Sequence, residues 1–211
     1  MKYSEEISKL VIKNLDQHEK AALVLFEVGE VVSKAINKEA KELIEAFALD
    51  GNEYFNFDNE DKDICFSLKD WMSEDPEEMT FGISLNYYDP DEKEPNTWLG
   101  HFCGVPYKST GLYLHFWVDR RHSGIRLPRF KQILREHFEA STLLIENGFK
   151  LSADGQTLDR VFTLKQEEIL ANYPHDLSEA LSPLTESIKA FERCQPDFMK
   201  LVEALKKESQ E

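Results

Sequence analysis

Four of the six histidines, His101, His115, His122 and His137, fall between positions 101 and 137, and Cys103 stands two residues beyond His101. Imidazole and thiolate both bind zinc. On a strand, His101 and Cys103 would share one face, and Cys65 or His115 could join them from neighbouring strands in a tetrahedral N/S set. No Cys-x-x-Cys or His-Glu-x-x-His pair supports that reading. Cys103 with His115 as its base could also form a nucleophile pair, although Gly100 and Gly104 around it need mark only close backbone approach. Both readings yield to buried structural thiols. The odd count of Cys65, Cys103 and Cys194 argues equally against a disulfide framework. The segment 90-PDEK-93 carries the letters of a carboxylate–lysine nuclease cluster but lies in a loop, where such residues are commonly just solvated. The sequence contains no phosphate-binding loop, dinucleotide fingerprint or Gly-x-Ser-x-Gly elbow. It therefore implies no metal and no cofactor, and the preferred reading is non-catalytic.

The second concentration of chemistry is 119-DRRHSGIRLPRFKQILR-135. Arg120, Arg121, Arg126 and Arg129 flank a strand exit and a helix start. Basic residues there oppose the helix macrodipole, whereas guanidinium forks beside unpaired N–H groups suit a phosphate or carboxylate. These four arginines are the predicted anion site. The anion is either one of the chain's own carboxylates, from residues 50–94, or a bound ligand.

The elements that must position these residues are legible from periodicity. Apolar residues at three- and four-residue steps predict a helix over 16–50, preceded by a shorter one over 4–13. Alternation predicts strands at 63–71 and 80–90, and further runs follow at 97–105 and 111–119. Short connections between them favour an antiparallel meander. Pro128 opens a helix of about 18 residues over 128–146, ended by Asn147-Gly148. Residues 149–164 read as a hairpin turning at Asp154-Gly155. Helices follow at 165–172, 176–193 and 197–208, punctuated by Pro174, Pro183 and Pro196. The predicted fold class is α+β, one domain over 1–211. It has a mainly antiparallel sheet of four to six strands, a long N-terminal helix, a helix after the fourth strand and a helical C-terminal tail. Residues 1–50 supply the N-terminal helices, 60–164 the sheet region and 165–211 the C-terminal helices.

Alternation also sorts side chains to faces. Ile64, Phe66, Leu68, Phe81, Ile83, Leu85, Phe102, Leu112, Leu114 and Phe116 form an apolar face, to be covered by the long N-terminal helix or the 128–146 helix. The opposite face would carry Asn86, Tyr88, His101, Tyr113, His115 and Trp117, together with Cys65, Ser67, Ser84 and Cys103. A mixture of aromatics and directional polar groups suits a ligand or partner. The bland alternative is a face packed under the C-terminal helices with its hydrogen bonds satisfied.

Charge decides between functions. The formal net charge is −15. Residues 50–94 hold fifteen acids against three lysines, a balance of −12, whereas residues 95–135 hold seven bases against one acid, a balance of +6. A general nucleic-acid binder is disfavoured, since such a chain repels phosphate away from the arginine run. The amino terminus lacks the apolar stretch of a secretion signal, and no run reaches membrane-spanning length, so the cytoplasm is expected. The preferred function is an acidic interaction or regulatory protein, of inhibitor, immunity or DNA-mimic type. It would dock on a basic partner surface through loops carrying Glu74, Asp75, Glu77, Glu78, Asp91, Glu92 and Glu94. The alternative is a ligand-sensing domain or enzyme that binds an anionic small molecule between the polar sheet face and the arginines.

Overall fold

The computed structural model describes residues 4–46, 64–68, 71, 80–88, 98–105, 111–121 and 123–210. The chain opens with α1 (Glu5–Lys13), capped by the Ser4 hydroxyl, which accepts from the Ile7 N–H, and continues through Asn14 into α2 (Leu15–Ala46). The span of α1 and the start of α2 match the periodic reading, the Ser4 hydroxyl satisfying an otherwise orphaned N–H of the first turn, while the expected continuation of α2 to residue 50 lies outside the described residues. Among the described residues five strands follow: β1 (Ile64–Phe66), β2 (Thr80–Tyr88), β3 (Gly111–Asp119), β4 (Lys150–Leu151) and β5 (Leu158–Phe162). They form one sheet in the order β1-β2-β3-β5-β4, antiparallel at every pairing. The α+β antiparallel architecture is therefore as predicted.

Four local expectations are corrected. The run at 97–105 is not a strand: α3 (Trp98–Phe102) occupies it, and Gly104 at φ 65° follows. Its apolar residues Leu99, Phe102 and Cys103 fall at three- and four-residue steps and pack against the core, so helical spacing overrides the apparent alternation. Among the described residues the sheet helix therefore follows the third strand, β3. It is also divided, into α4 (Leu127–Ala140) and α5 (Thr142–Glu146), because the Ser141 hydroxyl leaves the helical path to cap the Leu144 N–H at 3.1 Å. The turn of the β4–β5 hairpin is longer than two residues. Gly155 at φ 72° does lie within it, but Ser152 and Thr157 close it, with the Ser152 N–H donating to the Thr157 carbonyl at 3.0 Å.

The C-terminal region holds α6 (Gln166–Asn172) and then one unbroken helix, α7 (Ser182–Ser209), with Pro196 inside it. Proline in a helix interior costs ~3 kcal/mol, so a break at Pro196 is the natural reading of the sequence. Burial outweighs that cost. Phe191, Cys194, Phe198, Leu201 and Leu205, on both sides of the proline, are each 0% exposed, and each large apolar side chain buried contributes ~1.5–3 kcal/mol.

It is α7, rather than α4, that covers the centre of the apolar face. Phe198 meets Phe116, Phe149 and Phe191 at ring-centroid distances of 5.2 to 5.4 Å, and Trp71 stands edge-on to Phe116 at 5.7 Å. The second half of α2 packs beside it through Val32, Ile36, Ala40 and Ile44, and the Thr185 hydroxyl of α7 donates to Glu39 at 3.3 Å. Leu85 and Leu112 of the sheet meet Ser33, Ile36 and Phe102 around one small recess. The layers are thus a sheet with α2, α3 and α7 against one face. Among the described residues no helix is long and apolar enough to cross a membrane.

Candidate functional site

The opposite face of the sheet is built by register. Ser84 on β2 pairs with His115 on β3, and His115 pairs with Asp159 on β5. Side chains of directly paired residues point to the same side, so serine, imidazole and carboxylate form one row. His115 Nδ1 lies 2.8 Å from Asp159 Oδ1. A carboxylate on Nδ1 fixes the ring plane and makes Nδ1 the N–H, which leaves Nε2 as the acceptor. The Thr157 hydroxyl donates to the other carboxylate oxygen at 3.3 Å, and Tyr113 stands edge-on to the imidazole at 5.2 Å. Ser84 is 4% exposed, and the His115 side chain is 21% exposed. Such a row can orient an imidazole to accept a hydrogen bond from a ligand.

Trp117 widens the same face. Its cross-strand partner is Gly82, and a Cβ at Gly82 would fall 2.5 Å from the indole ring. The absent side chain therefore lets the indole lie down across β2, an aromatic covering a strand glycine. Asn86, opposite Tyr113 in the register, borders the recess beside Ser33 and Asn37. The structure thus gathers Tyr113, His115 and Trp117 on one face and adds Ser84 and Asp159, whereas Asn86 shares their register but borders the recess on the α2 side. Tyr88 closes β2, and its side chain lies outside the described residues, as do the side chain of Cys65 and the whole of His122.

Two expected members are elsewhere. His101 sits on α3, 1% exposed, because the segment carrying it is helical. Cys103 follows that helix, and burial pushes its thiol up to about 11, with the Glu167 carboxylate adding to the rise; a thiol held protonated is a poor nucleophile. The helix at 98–102 removes the strand on which the His101–Cys103 zinc set and the Cys103–His115 pair were both predicated. Among the described residues no group of three His, Cys, Asp or Glu side chains is placed to hold a metal ion. α7 lies on the apolar side, while on this face Ser84 and Asp159 are buried and Tyr113, His115 and Trp117 are half-buried.

No family model matches the chain, and no curated protein or solved structure matches it.

The arginine run meets carboxylates of this chain. Arg121 forms a forked pair with Asp119, two residues away, through Nε and Nη2. Arg129, in the first turn of α4, donates Nε at 3.0 Å and Nη2 at 2.8 Å to the two oxygens of Glu208, near the end of α7. The Arg129 hydrogen bonds hold the Glu208 carboxyl below its ordinary range. Arg120 points to the helix side of the sheet, its guanidinium 4.9 Å from the Phe130 ring centroid and 3.3 Å from Gln156 Oε1. Arg126 occupies the exposed N-cap of α4 without a side-chain capping bond. Asp119 and Glu208 lie outside residues 50–94, the segment from which a pairing carboxylate was anticipated. The docking residues Glu74, Asp75, Glu77, Glu78, Asp91, Glu92 and Glu94 all lie outside the described residues.

Sequence reading missed two participants. Asp159 belongs to a short strand whose pairing with β3 is non-consecutive, so only the topology places it against His115. Arg160 sits on the helix side of β5, donating Nε to the Asn147 carbonyl at 2.9 Å and Nη1 to the Ser187 hydroxyl. Burial lowers its pKa, and nearby Arg193 adds to the effect.

Proposed function

We propose that this protein is a non-catalytic interaction or regulatory protein that docks on a basic partner surface through its acidic loops, as an inhibitor, immunity-type or DNA-mimicking protein would. The observation that carries the reading is the forked engagement of Arg121 by Asp119 and of Arg129 by Glu208. Two of the four arginines of the basic run are thereby neutralised within the 111–210 part of the fold. In a chain of net charge −15 whose residues 50–94 carry −12, the acidic segment is then the dominant charge presented to a partner. Such a field speeds encounter and selects partners more than it adds affinity, and association should weaken steeply as salt rises.

The test is capture from host lysate by wild type and by a variant with Glu74, Asp75, Glu77, Glu78, Asp91, Glu92 and Glu94 changed to Gln or Asn. The expected result is a basic protein retained by the wild type, released by salt and lost with the variant. Equal capture by the two proteins, or retention insensitive to salt, overturns the docking reading.

A second reading is favoured by one specific observation, the Ser84–His115–Asp159 row, in which the His115 side chain keeps 21% of its surface exposed. An anionic or polar small molecule could donate to His115 Nε2 and lie against Trp117. Isothermal titration against a panel of small carboxylates and phosphates, with His115→Ala as the control, tests it. Binding that persists in the variant excludes that face.

A further inference from the structure

The first 24 described residues have no core. Every residue from Ser4 to Glu27 is exposed except for the partly covered Ser8 and Asn14, and the first fully buried residue of α2 is Gly29. At 1.5 Å per residue, α1 is ~13 Å long and the exposed start of α2, Leu15 to Glu27, adds ~20 Å of helix without buried residues. An unsupported helix of this length is marginal in water, since helices in proteins draw most of their stability from packing. The arm is nonetheless rich in large apolar side chains. Of the sixteen exposed large hydrophobics among the described residues, ten lie between Ile7 and Val31, including Ile12 at 71%, Leu23 at 67% and Phe26 at 62%. In 21-AALVLF-26 the apolar residues run all the way round the helix, a pattern that belongs to buried helices.

We propose that this arm is the self-association surface of the protein, and that its occupant is the same arm of a second copy. Two observations select that occupant. The first is area. Summed round α1 and the start of α2, ten large side chains about half exposed present on the order of 700 Å², taking ~150 Å² for each when fully exposed, a total comparable to the ~800 Å² per partner of a stable interface. The second is charge. Residues 1–49 hold nine acids and seven bases, a balance of −2, so −13 of the net −15 lies elsewhere in the chain. The arm is the part of this acidic protein where two copies can approach without strong mutual repulsion. Its ion pairs are already closed within each helix, Lys9 to Glu5 at 2.6 Å and Lys20 to Asp16 at 2.8 Å. A contact in which one surface serves both sides needs such a near-neutral, self-sufficient face. A basic protein would be drawn instead to residues 50–94, and an anionic membrane finds more acids than lysines on the arm. The inference is independent of the docking function.

Sedimentation equilibrium of the 211-residue chain across a wide concentration range tests it. The wild type is expected at twice the 24.5 kDa chain mass, and a Leu23→Glu/Phe26→Glu variant at the single-chain mass. The thermal midpoint of that variant, measured at low concentration, should be unchanged, because neither residue touches the core. Should the double variant fail to fold, Phe26→Ser serves, with dimerisation expected to weaken at least tenfold. A wild type that stays monomeric up to its solubility limit overturns the proposal, as does a dimer of unchanged strength in the variants. A monomeric wild type that co-sediments with phosphatidylcholine vesicles overturns it in favour of a membrane surface. A monomer that binds only a different protein through the arm overturns it in favour of that partner.

Discussion

His115 Nδ1 and Asp159 Oδ1 stand 2.8 Å apart across β3 and β5, on a sheet face where the imidazole remains partly exposed and the carboxylate is nearly buried. The pair fixes the tautomer of the ring and the direction of Nε2. Replacing Asp159 by alanine leaves a half-buried imidazole without its acceptor, and is expected to lower folding stability by ~1–3 kcal/mol. The His115→Ala/Asp159→Ala double variant should lose less than the sum of the single losses, since the two residues act as one unit. Urea denaturation of the four proteins measures the coupling, and strict additivity would show that the contact contributes nothing.

Gly82 holds Trp117 flat. The Gly82→Ala variant places a methyl group 2.5 Å from the indole, so the ring must lift from β2, at a cost of ~1–3 kcal/mol. The expected signature is a red-shifted component in the tryptophan emission with reduced stability. A variant with wild-type emission and midpoint would mean that the indole rests elsewhere in solution.

Asp119 and Glu208 mask two forks of the arginine run. Changing both to alanine is expected to strengthen anion binding relative to the wild type, read as increased retention on a phosphocellulose column and as greater stabilisation by inorganic phosphate. The single changes should give intermediate retention. No gain in the double variant would show that Arg120 to Arg129 are held by something other than these two carboxylates.

The α4–α7 seam should respond to pH. His137 Nε2 donates to the Asp197 backbone carbonyl at 2.8 Å, and burial pushes this imidazole below its ordinary 6.5. A folded-state value below the unfolded one means that the unfolded chain takes up the proton first. The stability contributed by neutral His137 is therefore complete above pH 6.5 and is lost as pH falls through its lower folded-state value. Asp197, whose carboxyl the Lys200 and Ser141 hydrogen bonds hold below the usual 3.8, adds a second loss at lower pH. Urea midpoints across this range should show the first loss in the wild type and not in His137→Gln; identical profiles would remove His137 as its source.

The sequence by itself determined which segments are helix or strand wherever a single period ran uninterrupted. α1, α2, β2, β3 and α6 follow directly from their spacing, because amphipathic periodicity is local chemistry repeated along the chain. It also determined the charge map, which needs only counting. What the tertiary structure decided depends on partners far apart in sequence. Pro196 stays inside α7 because aromatic packing on both sides outweighs its local cost. The 97–105 run became α3 because Leu99 and Phe102 find the core at helical spacing. His115 gained Asp159 because β5 inserts between β3 and β4, and Arg129 met Glu208 because α7 returns its last turn to the start of α4. Local periodicity fixes a side chain's face; only the arrangement of strands and helices fixes what stands opposite it.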